Sequence, residues 1–170
     1  MRVVQIGEAF PSLAYRCPGP GGITRERHLD RHEVTVDVLP GNLQAIVATG
    51  DLQGREDVPP HRLLGEAVAD ALRSEFAPSG LGVLLAGDLY ANEGADKLGS
   101  SGEVGEVWDS FSSDYRWTAG VLGNHDRLKS PSVGTTLLDG QVVVKDGLRI
   151  GGVGGIVGKA GRLQKGRTRP

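Results

Sequence analysis

Three short apolar runs, Leu43 to Thr49, Leu81 to Ala86 and Thr118 to Leu122, each end at a glycine followed by a polar side chain. The loops that follow read Thr49-Gly50-Asp51-Leu52-Gln53-Gly54, Ala86-Gly87-Asp88-Leu89-Tyr90-Ala91-Asn92 and Leu122-Gly123-Asn124-His125-Asp126. Asp51 and Asp88 stand 37 positions apart, and Asp88 and Asn124 stand 36 apart. A strand, its crossover helix and the returning strand need about 30 residues or more, so each interval holds one such unit. Strand, helix, strand, helix, strand is the order of an α/β chain with a parallel sheet and right-handed crossovers. Ligands of such sheets bind outside the carboxyl ends of the strands, which is where all three loops fall.

The intervals carry the helical period this requires. Leu64, Val68, Leu72 and Phe76 form one stripe with Leu63, Ala67 and Ala71 beside it, predicting a helix from Pro60 to Phe76 with Pro59 and Pro60 in its first turn. Val104, Val107, Trp108, Phe111 and Tyr115 predict a second, shorter helix. Trp108 is then core, while Trp117, opening the next strand, is expected to be partly exposed. Ahead of these units, Pro11 to Thr24 reads as loop because prolines and glycines interrupt any period. Val34, Val36 and Val38 alternate as in a strand, and Pro40-Gly41-Asn42 is expected to turn that strand into a hairpin with Leu43 to Thr49. Beyond them, Val142 to Lys145 and Leu148 to Gly151 form a hairpin around Asp146-Gly147. The chain thus divides into a strand and loop region at 1–42, an α/β domain at 43–158 and a tail at 159–170. The tail holds Lys159, Arg162, Lys165, Arg167 and Arg169 with no acid, the composition of a solvated, disordered end. The change of character near Lys159 also fits a truncated or frameshifted reading frame, which sequencing the gene tests.

Composition excludes several classes of function. The formal net charge of −2 provides no field to draw nucleic acid or an anionic membrane. Cys17 is the one cysteine and calls for no oxidising compartment. No apolar run approaches the roughly 18 residues of a membrane span, and the first residues lack a secretory apolar stretch, so a soluble cytoplasmic protein is expected. The 27 glycines, about twice the usual share, suit a chain of tight turns. His28 and His32 lack the glutamate of H-E-x-x-H, and His61 follows two prolines and reads as a surface residue. The segment 153–160 fails the phosphate-loop pattern at Val153 and Ala160, and there is no G-x-S-x-G.

Two carboxylates and an amide oxygen side by side repel or go unsatisfied unless a cation sits between them, and hard or borderline divalent metals take such ligands. Gly50-Asp51-Leu52-Gln53, Gly87-Asp88 and Gly123-Asn124-His125-Asp126 resemble, in order and spacing, the first three motifs of the calcineurin-like metallophosphoesterases. The resemblance covers about Leu43 to Gly158, including the glycine-rich Gly151 to Gly155. It implies a layered α/β sandwich of which this chain represents mainly the first sheet with its crossover helices. It also implies two divalent ions, manganese, iron or zinc, and hydrolysis of a phosphate mono- or diester. Asp51 would ligate the first metal, Asp88 would bridge both, Asn124 would ligate the second, and His125, oriented by Asp126, would serve the leaving oxygen.

Two departures bear on what the chain can do. Gln53 stands where the family's D-x-H motif has a histidine ligand, and an amide oxygen holds zinc or iron less well than imidazole. The family takes further histidines from later loops, and no histidine follows His125. The metals are then expected to keep more water and bind more weakly, and an apolar sheet face is expected to lie partly uncovered. A non-catalytic remnant or binding module is the second reading, and a partner chain that completes the site is the third.

Overall fold

The computed structural model describes residues 1–155 apart from Ser113. The basic tail expected at 159–170 lies outside the described residues, as does the end of the domain expected at 43–158. The N-terminal region is two antiparallel pairs. β1 (Val3–Ile6), β2 (Phe10–Pro18), β3 (Thr24–Arg31) and β4 (Val34–Val36) follow in chain order, with β1 paired to β4 and β2 to β3.

This corrects two expectations. The segment from Pro11 to Thr24 is mostly strand, because its prolines fall where a missing N–H is tolerated: the register slips between Pro11 and Ala14, and Pro18 is the last residue of β2. Val34 to Val36 is a strand as expected, but its partner is β1. The chain past Pro40 forms no hairpin and enters β5 (Ala45–Thr49), which runs parallel to its neighbour.

β6 (Arg55–Glu56) adds a third strand beside β2. α1 (Leu64–Glu75) begins later than Pro60, at a point where the backbone N–H of Leu63 donates to Glu66 Oε1 at 2.9 Å and so finds a partner. After it come β7 (Leu81–Leu85), β8 (Gly102–Glu103), α2 (Gly105–Ser110), β9 (Trp117–Gly120), β10 (Asp126–Arg127) and β11 (Thr135–Leu137). The hairpin of β12 (Gln141–Lys145) and β13 (Leu148–Gly152) follows as expected. The central sheet has the order β11-β9-β7-β5, all parallel. The fold is therefore mixed α/β with a four-stranded parallel sheet and few helices.

Alternation along the strands sorts the core into two layers. Leu81, Val83 and Leu85 of β7 face α1 and α2, where Leu64, Val68, Leu72, Val107, Trp108 and Phe111 pack. Burying each of these larger side chains contributes roughly 1.5–3 kcal/mol. On the opposite face Trp117, Ala119, Leu138 and Ile150 form a second cluster under the β12–β13 hairpin. Trp117 is 5% exposed, against expectation. Its indole lies where a side chain on Gly82 would stand, and its Nε1 donates to Asp146 at 2.9 Å.

The hairpin covers only part of its face. Beside it a cavity of about 270 Å³ is lined by Leu84, Ala86, Val121, Leu138, Ile150 and Val153. The outward Val142 and Val144 are 59% and 63% exposed. No helix among the described residues is long and apolar enough to cross a membrane.

Candidate metal centre

In the parallel register, Thr49 of β5 lies beside Leu85 of β7, and Leu85 lies beside Gly120 of β9. The three strand tips are level, so their loops leave the sheet at one edge. Backbone bonds then bind the loops to one another. Ala86 N–H donates to Thr49 O at 2.8 Å, and Asp51 N–H donates to Gly87 O at 2.9 Å, joining the first loop to the second. His125 N–H donates to Asp88 Oδ1 at 3.3 Å, joining the second to the third.

The approach is close enough to demand glycine. A Cβ on Gly123 would stand 2.0 Å from Asp88 Oδ1, and one on Gly87 would stand 2.4 Å from the Gly123 nitrogen. Asp51 and Asp88 themselves adopt left-handed backbone, with φ of 53° and 54°. Aspartate tolerates that region better than most residues, yet the conformation costs about 1–2 kcal/mol per residue and is concentrated at functional sites.

The expected ligands sit at this edge. Asp51 is exposed, and Gln53, Asp88, Asn124 and His125 are half-buried. Among the described residues the side chains of Asp51, Gln53 and Asn124 have no hydrogen-bond partner, and Asp88 has only the long bond from His125. Also among the described residues, no three His, Cys, Asp or Glu side chains gather as a ligand group. The side chains expected as ligands are two carboxylates and two amides.

Asp126 does something other than orient His125. Its Oδ1 accepts from Leu89 N–H at 2.8 Å and Tyr90 N–H at 3.2 Å, and its Oδ2 accepts from Gly123 N–H at 3.0 Å. The carboxylate is thus a clasp between the second and third loops. The His125 ring has another neighbour, with Nδ1 lying 3.4 Å from Ser101 Oγ.

Two more residues support the loops, and neither announces itself in the sequence. The half-buried Arg55 guanidinium donates to Asn92 O at 2.9 Å, Ala91 O at 2.9 Å and His61 O at 2.9 Å, pinning the segment after the first loop to the second loop. Tyr15 of β2 lies over Gly54, where a Cβ would come within 2.4 Å of its ring. Burial holds the Tyr15 phenol above its ordinary value; Cys17 and Asp51 push the same way and Arg27 opposes them. The Tyr15 contact arises from β2–β6 pairing, which joins residues about 40 positions apart. His61 is half-buried with Nδ1 3.0 Å from Glu56 O, while His28 and His32 are exposed. No protein-family model matches the chain, and no curated protein or solved structure matches it.

Proposed function

We propose that this chain is the core of a metal-dependent phosphoesterase, hydrolysing a phosphate mono- or diester. The observation that carries the reading is the level arrangement of three strand tips, where Asp51, Asp88, Asn124 and Gln53 keep oxygen atoms free of partners among the described residues. Left-handed backbone at both aspartates supports it, since strain of this kind is maintained where function uses it.

The donors fit divalent ions. Two carboxylates and two amides are an all-oxygen set, which suits a hard ion such as manganese better than zinc or iron. Asp51, Gln53, Asp88 and Asn124 would hold two such ions. A bound divalent ion supplies charge for phosphoryl oxygens and lowers the pKa of a water. The chain's own residues then have distinct tasks: His125 holds a proton toward the leaving oxygen, and Asp126 keeps the second and third loops in register.

We read the parallel sheet with its two helices as the first half of a layered metallophosphoesterase sandwich, and the β12–β13 hairpin as the beginning of the second layer. A cytoplasmic location belongs to the same proposal and is supported by the single cysteine. A binding module without turnover is the second reading, favoured by Gln53 in place of an imidazole and by the lack of a three-residue ligand group among the described residues. A partner chain that completes the site would appear as a complex in solution mass measurements.

One experiment separates these readings. Purified protein with Mn²⁺ is expected to release nitrophenol from bis(4-nitrophenyl) phosphate or 4-nitrophenyl phosphate. Asp88→Asn is expected to lower that rate by about 100-fold or more, as loss of a charge-stabilising group at a reacting centre does. Turnover no greater than buffer, with a melting temperature that rises on adding Mn²⁺, leaves the binding module. An unchanged melting temperature with no turnover removes both.

A further inference from the structure

We propose that Ser101 is the positioning residue of His125, holding the ring so that Nε2 is the atom turned toward the leaving oxygen. The inference rests on the phosphoesterase reading for the role of His125, and on independent geometry for the contact.

The pairing of β8 with β10 places the two residues together. Gly102 lies beside Asp126 and Glu103 beside Arg127 in parallel register, so the residues just ahead of these strands, Ser101 and His125, lie abreast. Gly102 N–H donates to His125 O at 3.1 Å, and Val104 N–H donates to Arg127 O at 2.9 Å, fixing that register from both ends. The segment is also held from the other side. The Tyr90 ring occupies the space a Cβ on Gly102 would need, at 2.3 Å, and Asn92 N–H donates to Ser100 Oγ at 3.2 Å. Gly99 passes over the ring edge, where a Cβ would be 3.6 Å from His125 Cε1.

Ser101 Oγ then stands 3.4 Å from His125 Nδ1, and both residues are half-buried. Among the described residues, neither nearby carboxylate bonds the His125 ring. Asp126 accepts three backbone N–H groups, and the Asp88 bond to His125 is to its backbone nitrogen. By donating its proton to an unprotonated Nδ1, the Ser101 hydroxyl would stabilise the tautomer that carries its proton on Nε2, the atom left for the substrate. Partners of this kind, one residue removed from the chemistry, carry about 10–100-fold in activity.

The test uses ¹⁵N-labelled full chain, with Ser101→Ala and Ser101→Thr, and a His125→Gln sample to assign the ring signals. Long-range ¹H–¹⁵N spectra above neutral pH are expected to show one dominant His125 tautomer in the wild type and in Ser101→Thr, and a mixture in Ser101→Ala. In parallel, kcat with Mn²⁺ for phenyl phosphate, whose leaving group needs a proton, is expected to fall about 10–100-fold in Ser101→Ala with KM unchanged. With 4-nitrophenyl phosphate, which leaves without help, the fall is expected to be under about threefold, and Ser101→Thr restores both. A tautomer ratio that is the same in wild type and Ser101→Ala overturns the proposal, as does an equal loss on both substrates. A wild-type chain without turnover removes the phosphoesterase reading and the catalytic role with it, while the spectra still decide the contact.

Discussion

Two residues of the third loop, Asn124 and Asp126, have opposite relations to the fold around them. Asp126 accepts three backbone N–H groups from two loops, whereas the Asn124 side chain accepts and donates nothing among the described residues. Removing the carboxylate leaves these donors unpaired, which costs about 1–3 kcal/mol for a buried donor and less where water reaches it. Asp126→Ala is therefore expected to lower the unfolding free energy by about 2–4 kcal/mol in urea titration. Asn124→Ala is expected to stay within about 0.5 kcal/mol of wild type and to lose the Mn²⁺-induced rise in melting temperature. If the two variants destabilised equally, the division between a clasp and a ligand would be wrong. Gly-Asn-His-Asp marked this loop in the sequence, but it could not assign the work inside it. That assignment depends on which backbone amides the fold turns toward the carboxylate.

At the scale of elements, the contact between α1 and α2 sets propensity against packing. Gly65 lies in the first turn of α1, where alanine would favour the helix by up to about 1 kcal/mol. A Cβ there would come 2.4 Å from Val107 Cγ1 of α2, and overpacking of a close contact costs about 1–3 kcal/mol. Gly65→Ala is expected to lower the melting temperature and to disturb the fluorescence of the buried Trp108, while a more stable protein would show that α2 gives way freely. The elements the sequence made legible are those with a strong private period: the stripe of α1, the all-apolar β7, and the β12–β13 hairpin around Asp146-Gly147. Illegible were the elements defined by partners. Val34 to Val36 alternates as a strand must, but nothing in its own residues says that it meets β1 and not β5. β11 is three residues long, and β8 with β10 only two each, too short for any period to register. The contact between Ser101 and His125 depends on that last pair, so the candidate site was readable at its strand-tip side chains and unreadable at their supports.

The molecule as a whole is layered, and the outer hairpin is tied to the sheet by a polar link at Asp146 as well as by its apolar face. Asp146, 16% exposed at its side chain, accepts from Arg116 Nε and Nη2 at 2.6 Å each and from Trp117 Nε1 at 2.9 Å. Arg116's hydrogen bonds hold the Asp146 carboxyl below its ordinary value, with Trp117 adding to the effect and desolvation opposing it. A depressed folded-state pKa contributes stability above the unfolded value of about 3.9 and loses it as pH falls through the folded value. Asp146→Asn is thus expected to be less stable than wild type at neutral pH, with the gap closing as the solution is acidified below that value. Glu66 has the opposite sign: burial raises its carboxyl, so its charge costs stability at neutral pH and the cost is relieved as pH falls through the raised value. Glu66→Gln, which keeps the oxygen that accepts from Leu63, is expected to be at least as stable as wild type near neutrality, with that advantage lost on acidification. Urea titrations of the three proteins across the acid range check both signs at once. A deficit in Asp146→Asn that did not change with pH would mean that Leu138, Leu148 and Ile150 hold the hairpin without the ion pair. The hairpin would then be held without a contribution from the Asp146 charge.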